Sequence, residues 1–388
     1  MSAETEASMI HDALDILRVD QVGSLLRPER LKAAFEQAAR GELSAEQLGA
    51  AQDDAIRGVV AEQERRGLPL VTDGEFRRRH FMESFADVVG FEAWKAGWST
   101  TLDEHGRDAS DDEVHAGVNP VLVMRAPATQ RLRLQANAPL KEYQFVASLS
   151  ERPAKVTLIG PERIAQSYAP DDASDVYHDV DAFIADVVAI QRQMISELRA
   201  AGCPYVQIDA PGYTAYVDEP SIEEMRSRGD DPDMLLERSI AADNAVIADH
   251  PGAVFGIHLC RGNRQSMWHR EGAYNAIAER VFNGLAHDRL LLEYDTERAG
   301  GFAPLRFVPK GKVVVLGLIT TKTGELEDAD HLVRRIEEAS EYLPIEQLAL
   351  SPQCGFASVL EGNLLSVDDQ WRKLDLMLRT AERVWGGI

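Results

Sequence analysis

The sequence predicts an α/β protein built as a TIM (β/α)8 barrel, and three observations carry that expectation. Eight short runs rich in Val, Ile and Leu recur along the chain, most of them followed by a helix-like pattern. Continuous apolar strands alternating with helices indicate a parallel sheet covered on both faces. The chain has 388 residues, a length that suits one large barrel. No G-x-G-x-x-G motif follows the first run, which weakens the alternative of an open dinucleotide-binding sheet.

The first run is "VDQVGS", residues 19–24. Pro28 then opens a helix, since proline at a first helical position loses no useful N–H. A second helix, "SAEQLGAAQDDAIRGVVAEQERRG" over 44–67, closes at Gly67. The second run is "LPLVTDGE" (68–75). The remaining six are "KVTLIG" (155–160), "PYVQID" (204–209), "AVFGIHLC" (253–260), "RLLLEYD" (289–295), "KVVVLGLIT" (312–320) and "QLALSPQC" (347–354). Residues 97–152 break the rhythm. An acidic, loop-like stretch, "LDEHGRDASDDEVHAG", leads into "VLVMRAPATQRLRLQANAPLKEYQFVASL", whose alternation of apolar and polar residues around Pro and Asn predicts a β-hairpin. The expectation is a single catalytic domain over 1–388, with 97–152 inserted between the second and third barrel strands.

Composition narrows the class of function. Hydrophobic residues make up 45% and include five Trp, enough for a sizeable core. Lys plus Arg total 41 against 64 Asp plus Glu, and the net charge of -23 argues against nucleic acid and anionic membranes as partners. The acidic start lacks the basic and apolar regions of a secretory signal. No apolar stretch reaches the ~18 residues of a membrane span. Three cysteines in so long a chain suggest a reducing compartment, so a cytoplasmic enzyme is expected.

In such a barrel the chemistry gathers at the carboxyl ends of the strands. Those ends carry Ser24, Glu75, Asp209, His258 with Cys260, Glu293 and Cys354. His258 and Cys260 share a face because strand residues two apart point the same way. Alone, the pair reads equally well as a buried histidine beside a small apolar thiol. Glu293 follows three leucines, a costly place for an unpartnered carboxylate, and Gly355 allows the backbone to come close beside Cys354. One nitrogen, two sulfurs and one oxygen suit a four-coordinate Zn²⁺. Cys203 precedes its run and reads as packing.

Two thiolates and a carboxylate make the ion a poor Lewis acid for hydrolysis. They suit it to binding an incoming thiol, lowering its pKa and keeping it nucleophilic, with Glu293 the ligand readiest to yield. The reaction class is alkyl transfer to a thiol. Glu75 and Asp209 are placed to hold a substrate ammonium group by charge-assisted hydrogen bonds, and backbone N–H groups around Gly23 and Ser24 to take a carboxylate. The plain alternative for Glu75 is pairing with Arg77, Arg78 or Arg79.

The stretches "VGSLLRP", "VTDGEFRR", "VQID", "HLC", "LLLEYD" and "LSPQCGFAS…EGN", spread over 22–363, resemble the catalytic half of the cobalamin-independent methionine synthase family, in its short single-barrel form. The resemblance implies a zinc enzyme that methylates homocysteine to methionine. It implies His258, Cys260, Glu293 and Cys354 as zinc ligands. Val22, Gly23 and Ser24 would lie on the homocysteine backbone, with Glu75 and Asp209 as the catalytic pair on its amino group. The methyl-donor side departs from the family. Thr320-Thr321-Lys322 stands where members carry His-Ser-Pro, and Ser167-Tyr168 stands where they carry the tryptophan that stacks on the pterin. Lys322 and Tyr168 are the candidates to stand in. The long N-terminal half of full-length members, which helps hold the folate tail, has no counterpart. The donor is therefore expected to be a methylfolate or a methylated corrinoid. An epoxide-to-sulfonated-thiol transferase, of the epoxyalkane:coenzyme M type, is the alternative enzyme, and a non-catalytic zinc-binding barrel the alternative class. Uroporphyrinogen decarboxylase-like barrels need no such ligand set. A homo-oligomer is left open.

Overall fold

The computed structural model of the protein describes residues 14, 16–91, 126–169, 176–268 and 270–387. Helix α1 (Glu29–Ala39) follows Pro28. In α2 (Ala45–Arg65), Ser44 and Gln47 form a reciprocal capping box, satisfying two of the first turn's free N–H groups. Gly67, at φ 85°, ends it as expected.

The centre is a parallel sheet of six strands in sequential order. They are β3 (Lys155–Ile159), β4 (Tyr205–Asp209), β5 (Val254–Leu259), β6 (Arg289–Glu293), β7 (Val313–Ile319) and β8 (Leu348–Pro352), each buried along its whole length. They correspond to the third to eighth runs. Alternate residues face opposite ways. Val156, Leu158, Val206, Ile208, Leu290, Leu292, Val314 and Leu316 join the large apolar cluster shared with the surrounding helices. Each such side chain contributes about 1.5–3 kcal/mol by leaving water. Residues from the other face form two small, separate clusters. One contains Leu14, Leu17, Leu70, Tyr205 and Val254; the other contains Val22, Leu291, Val313, Val315 and Ala349.

The first and second runs are not full strands. Val19 makes a single bridge to Leu350 of β8, and Val71 a single bridge to Ala154 beside β3. Gly23, Gly74 and Glu75 have φ of 136°, 71° and 60°, which turns the chain out of the extended conformation a ladder needs. A few backbone bonds and several side chains take the place of a full ladder. Gln21 Nε2 donates to Leu70 O (3.2 Å) and Thr72 Oγ1 to Gly23 O (2.8 Å), while Leu25 N–H donates to Gly74 O (3.1 Å).

The hairpin expected in 121–149 is corrected by the structure. Residues 97–125 lie outside the described residues. Beyond them β2 (Arg133–Leu134) pairs antiparallel with β1 (Val88–Val89), upstream of the region, and Ala138–Ala147 forms helix α3. Asn137 accepts the Leu140 N–H as its cap, Pro139 occupies the first turn, and Pro139, Glu142, Tyr143 and Val146 are buried. That i, i+3, i+4, i+7 spacing is helical. The alternation of apolar and polar residues ends at Asn137, where the helical spacing takes over.

Candidate metal centre

His258, Cys260 and Cys354 each offer a ligand atom, and these atoms lie within 4.8 Å of one another. His258 sits near the end of β5, paired in register with Asp209 of β4. Cys260 follows β5, its carbonyl accepting from Thr214 Oγ1 at 2.8 Å. Cys354 follows β8, and its Sγ is 3.8 Å from that of Cys260. All three are buried, and neither ring nitrogen of His258 meets a hydrogen-bond partner. The buried imidazole, with no well-formed hydrogen bond, interacts with the Cys260 sulfur and with Asp209, and it leaves a compact group of donors with capacity to spare. Soft sulfur with imidazole is the donor set that suits zinc. The residues present therefore fit the ion that the sequence implies.

The structure does not bring Glu293 into that group. Its Oε2 accepts the Arg261 N–H at 2.6 Å, and its Oε1 is paired with Arg298 Nη2. Burial alone would raise its pKa, but Lys322, Arg298 and Arg261 outweigh that and hold it below the usual carboxylate range. The guanidinium of Arg298 also lies over the ring of Trp268, 4.5 Å from its centroid.

Asp209 faces His258 across β4 and β5, and Glu75 is close enough for its charge to bear on Asp209. Burial, with the charge of Glu75 next in importance, pushes the Asp209 carboxyl up to about 6. Glu75 holds a left-handed backbone at φ 60°, unusual for a residue with a Cβ. Thr157 Oγ1 donates to its Oε1 at 2.7 Å, while Oε2 is buried without a partner. Of the neighbouring arginines, Arg77 pairs with Asp53 and Arg79 with Glu83, while Arg78 binds Glu142 and also forms a buried ion pair with Glu75 Oε1 at 3.6 Å, so the plain alternative for Glu75 holds for that one oxygen. Gly23 lies against Thr157 and Glu75, and the Val22 carbonyl accepts from Gln207.

Ser24 meets the cluster through Gly355. A Cβ on Gly355 would stand 1.9 Å from Ser24 Oγ, so the close approach expected beside Cys354 is present. Gly355→Ala should cost about 1–3 kcal/mol of stability through this overlap. Ser24→Gly in the same chain, which removes the obstructing hydroxymethyl, should recover most of it. Thermal melts of the single and double variants check this.

The candidates for the donor side separate. Tyr168 is buried and stacked on Phe183 with ring centroids 4.1 Å apart, so its ring belongs to the packing. Lys322 Nζ is buried with no hydrogen-bond partner, and its charge bears on Glu293 and Asp295. Cys203 donates to Tyr205 O at 3.5 Å, as plain packing requires. Sequence reasoning passed over Lys155, Thr157 and Gln207, although polar residues at alternate positions of otherwise apolar strands were a signal that something on that face needed them.

The profile of one family, the cobalamin-independent synthase catalytic domain, matches residues 19–367. The chain is 38% identical to an uncharacterized protein of Bacillus subtilis, YxjG, over 95% of this chain and 94% of that one. It is 24% identical to a methionine synthase of Pyrococcus abyssi, over 88% and 87% of the two chains. A solved structure, a candidate vitamin-B12-independent methionine synthase of Listeria monocytogenes, aligns over 95% of this chain and 98% of its own, at 29% identity and a TM-score of 0.73.

Proposed function

Since the chain belongs to the cobalamin-independent synthase catalytic-domain family, we propose that it is a zinc-dependent methyltransferase. It methylates the thiol of homocysteine to give methionine, using a methylfolate or a methylated corrinoid as donor. The observation that carries this reading is the pairing of a soft donor group, His258, Cys260 and Cys354, with two buried carboxylates, Glu75 and Asp209. The bridges at Val19 and Val71 tie the first and second runs to the two edges of the six-stranded sheet, which supports barrel closure in a single domain with these groups at one rim.

His258, Cys260 and Cys354 would hold the zinc, and Glu293, whose oxygens are taken by Arg298 and the Arg261 N–H, would be the fourth ligand. When bound, zinc supplies a soft, cationic centre that keeps a thiol deprotonated near neutral pH. The protein's own part is orientation. Glu75 Oε2, buried and unpartnered, and Asp209 accept the substrate ammonium. The turn at Val22, Gly23 and Ser24 borders its carboxylate. The sulfur is then aimed at the cluster and water is kept away, so attack on the donor's methyl carbon starts from a fixed geometry.

A sulfonated thiol is the less suited acceptor. It calls for free cations, and beside Glu75 there are none: Arg27 donates to the carbonyls of Ala357, Val359, Glu75 and Arg78, and Arg77, Arg78 and Arg79 are all paired with carboxylates, which leaves Lys322, on the Glu293 side, as the cation to account for. Among the described residues no helix is long and apolar enough to cross a membrane. The test is to supply the zinc-loaded protein with homocysteine and, in turn, methyltetrahydrofolate and methylcobalamin, and to assay methionine. Methionine from either donor is expected. No methionine from both, with a product from an alkylating agent and a different thiol, would overturn the acceptor assignment.

A further inference from the structure

The inner faces of β3 and β4 carry a buried polar chain that runs from the first run to the candidate substrate carboxylates. Lys155 Nζ donates to Asp20 Oδ1 (2.6 Å), to Gln21 O, and to Gln207 Oε1 (2.8 Å). Arg289 and the Tyr205 hydroxyl hold the other oxygen of Asp20, at 3.2 and 2.8 Å. All of these side chains are buried. An ammonium can only donate, so Lys155 fixes which way the Gln207 amide faces: oxygen towards Lys155, nitrogen away. That nitrogen then donates both its protons, to Val22 O (2.8 Å) and to Asp209 Oδ1 (2.7 Å).

We infer that Gln207, oriented by Lys155, is a positioning residue that sets the selectivity of this site for a thiol bearing an amino group. It holds one oxygen of Asp209 and turns the carboxylate to present the other to a ligand's ammonium. The same amide ties Val22 to Asp209, so the turn that borders the ligand's carboxylate and the acid that meets its amine move as one unit. Thr157, two residues along β3 from Lys155, donates to Glu75 Oε1 as Gln207 does to Asp209 Oδ1, and Glu75 Oε2 is left buried without a partner. An unbraced pair of neighbouring carboxylates would turn away from each other by repulsion. Fixing both in place before the ligand arrives removes an ordering cost from binding.

This rests on the amino-acid thiol proposed above, and the test separates the two. Binding of homocysteine and of 4-mercaptobutyrate, which is homocysteine without its amino group, is measured on the zinc-loaded wild type, Gln207→Glu and Gln207→Leu. Gln207→Glu keeps the shape and the Lys155 contact but cannot donate to Asp209. Both variants are expected to lose at least tenfold in preference for homocysteine over 4-mercaptobutyrate at unchanged zinc content, with Asp209→Asn adding less than twofold on top. Unchanged preference in Gln207→Glu, or fully additive losses, would overturn the assignment. If the wild type binds neither compound, the acceptor proposed above is wrong, and the brace is read without ligand. In protein labelled with ¹⁵N-glutamine, the side-chain amide signal that vanishes in Gln207→Leu should shift in Asp209→Asn. An unmoved signal would overturn the brace itself.

Discussion

Replacing Cys354 by serine should strip the protein of zinc and of methyl transfer together. Serine keeps the size of the side chain but replaces a soft thiolate with a hydroxyl that stays protonated, and zinc sites of this kind are built from deprotonated sulfur. The remaining His258 and Cys260 are two donors from one strand end, too few to hold the ion. Metal content should fall from near one per chain to a small fraction. Turnover should fall roughly 10³-fold or more, equivalent to about 4 kcal/mol on the barrier. Cys203→Ser is the control. That thiol is buried against Tyr205 O and should leave both metal and rate close to wild type. Metal analysis by atomic emission, run beside the methionine assay, decides the matter: full zinc occupancy in Cys354→Ser would remove Cys354 from the ligand set.

Arg78→Met should give the largest loss of stability. Arg78 is 3% exposed and donates to both oxygens of Glu142, at 3.0 and 2.5 Å, and to the hydroxyl and carbonyl of Thr157, at 2.8 and 2.9 Å. It also stands within 3.6 Å of Glu75. Methionine matches its bulk but strands three buried carboxylates, those of Glu142, Glu75 and Asp73. Breaking a buried pair from one side costs about 3–5 kcal/mol. The loss should depend on pH. Burial, with Glu142 next, already pushes the Asp73 carboxyl up to about 7, and Arg78 opposes that rise. An acid with a raised folded pKa is bound most favourably below its unfolded value and loses that advantage as pH climbs through the folded one. The variant should therefore be closest to wild type near pH 5 and furthest from it near pH 8. Melting curves at both pH values check the direction. Adding Glu142→Leu should recover part of the loss, because an apolar pair is better tolerated in a core than half an ionic one.

The parts of the molecule legible in the sequence were those where one residue type forces one environment. Runs such as "VVVLGLI" in β7 bury on both faces and cannot read as anything but an interior strand. His258, Cys260 and Cys354 could be named because they recur together at the ends of barrel strands, where the pair alone would have been ambiguous, and they do converge. The first two runs misled because their apolar residues support single bridges, while Gly23, Gly74 and Glu75 break the ladder through positive φ angles that composition does not announce. Helix α3 was hidden by Pro139, which looks like a breaker when it is in fact a first-turn residue. Glu293 shows the remaining limit. Its position was readable, but its partners were not: Arg298 arrives from five residues on and the Arg261 N–H from another strand's loop, and only folding brings them together.

Position 75 is where robustness and chemistry part company. Its main chain adopts a turn that glycine or asparagine would accept at less cost, and its side chain carries a sealed-in oxygen with nothing to bind. Both features count against glutamate in the resting protein; Asp73, Arg27, Thr157 and Arg78 hold the turn and Oε1, but no neighbour satisfies Oε2. A lineage screened only for heat tolerance would drift away from this acid, and one screened for product would keep it. Glu75 is thus a place where sturdier descendants of this chain would be expected to be the idle ones.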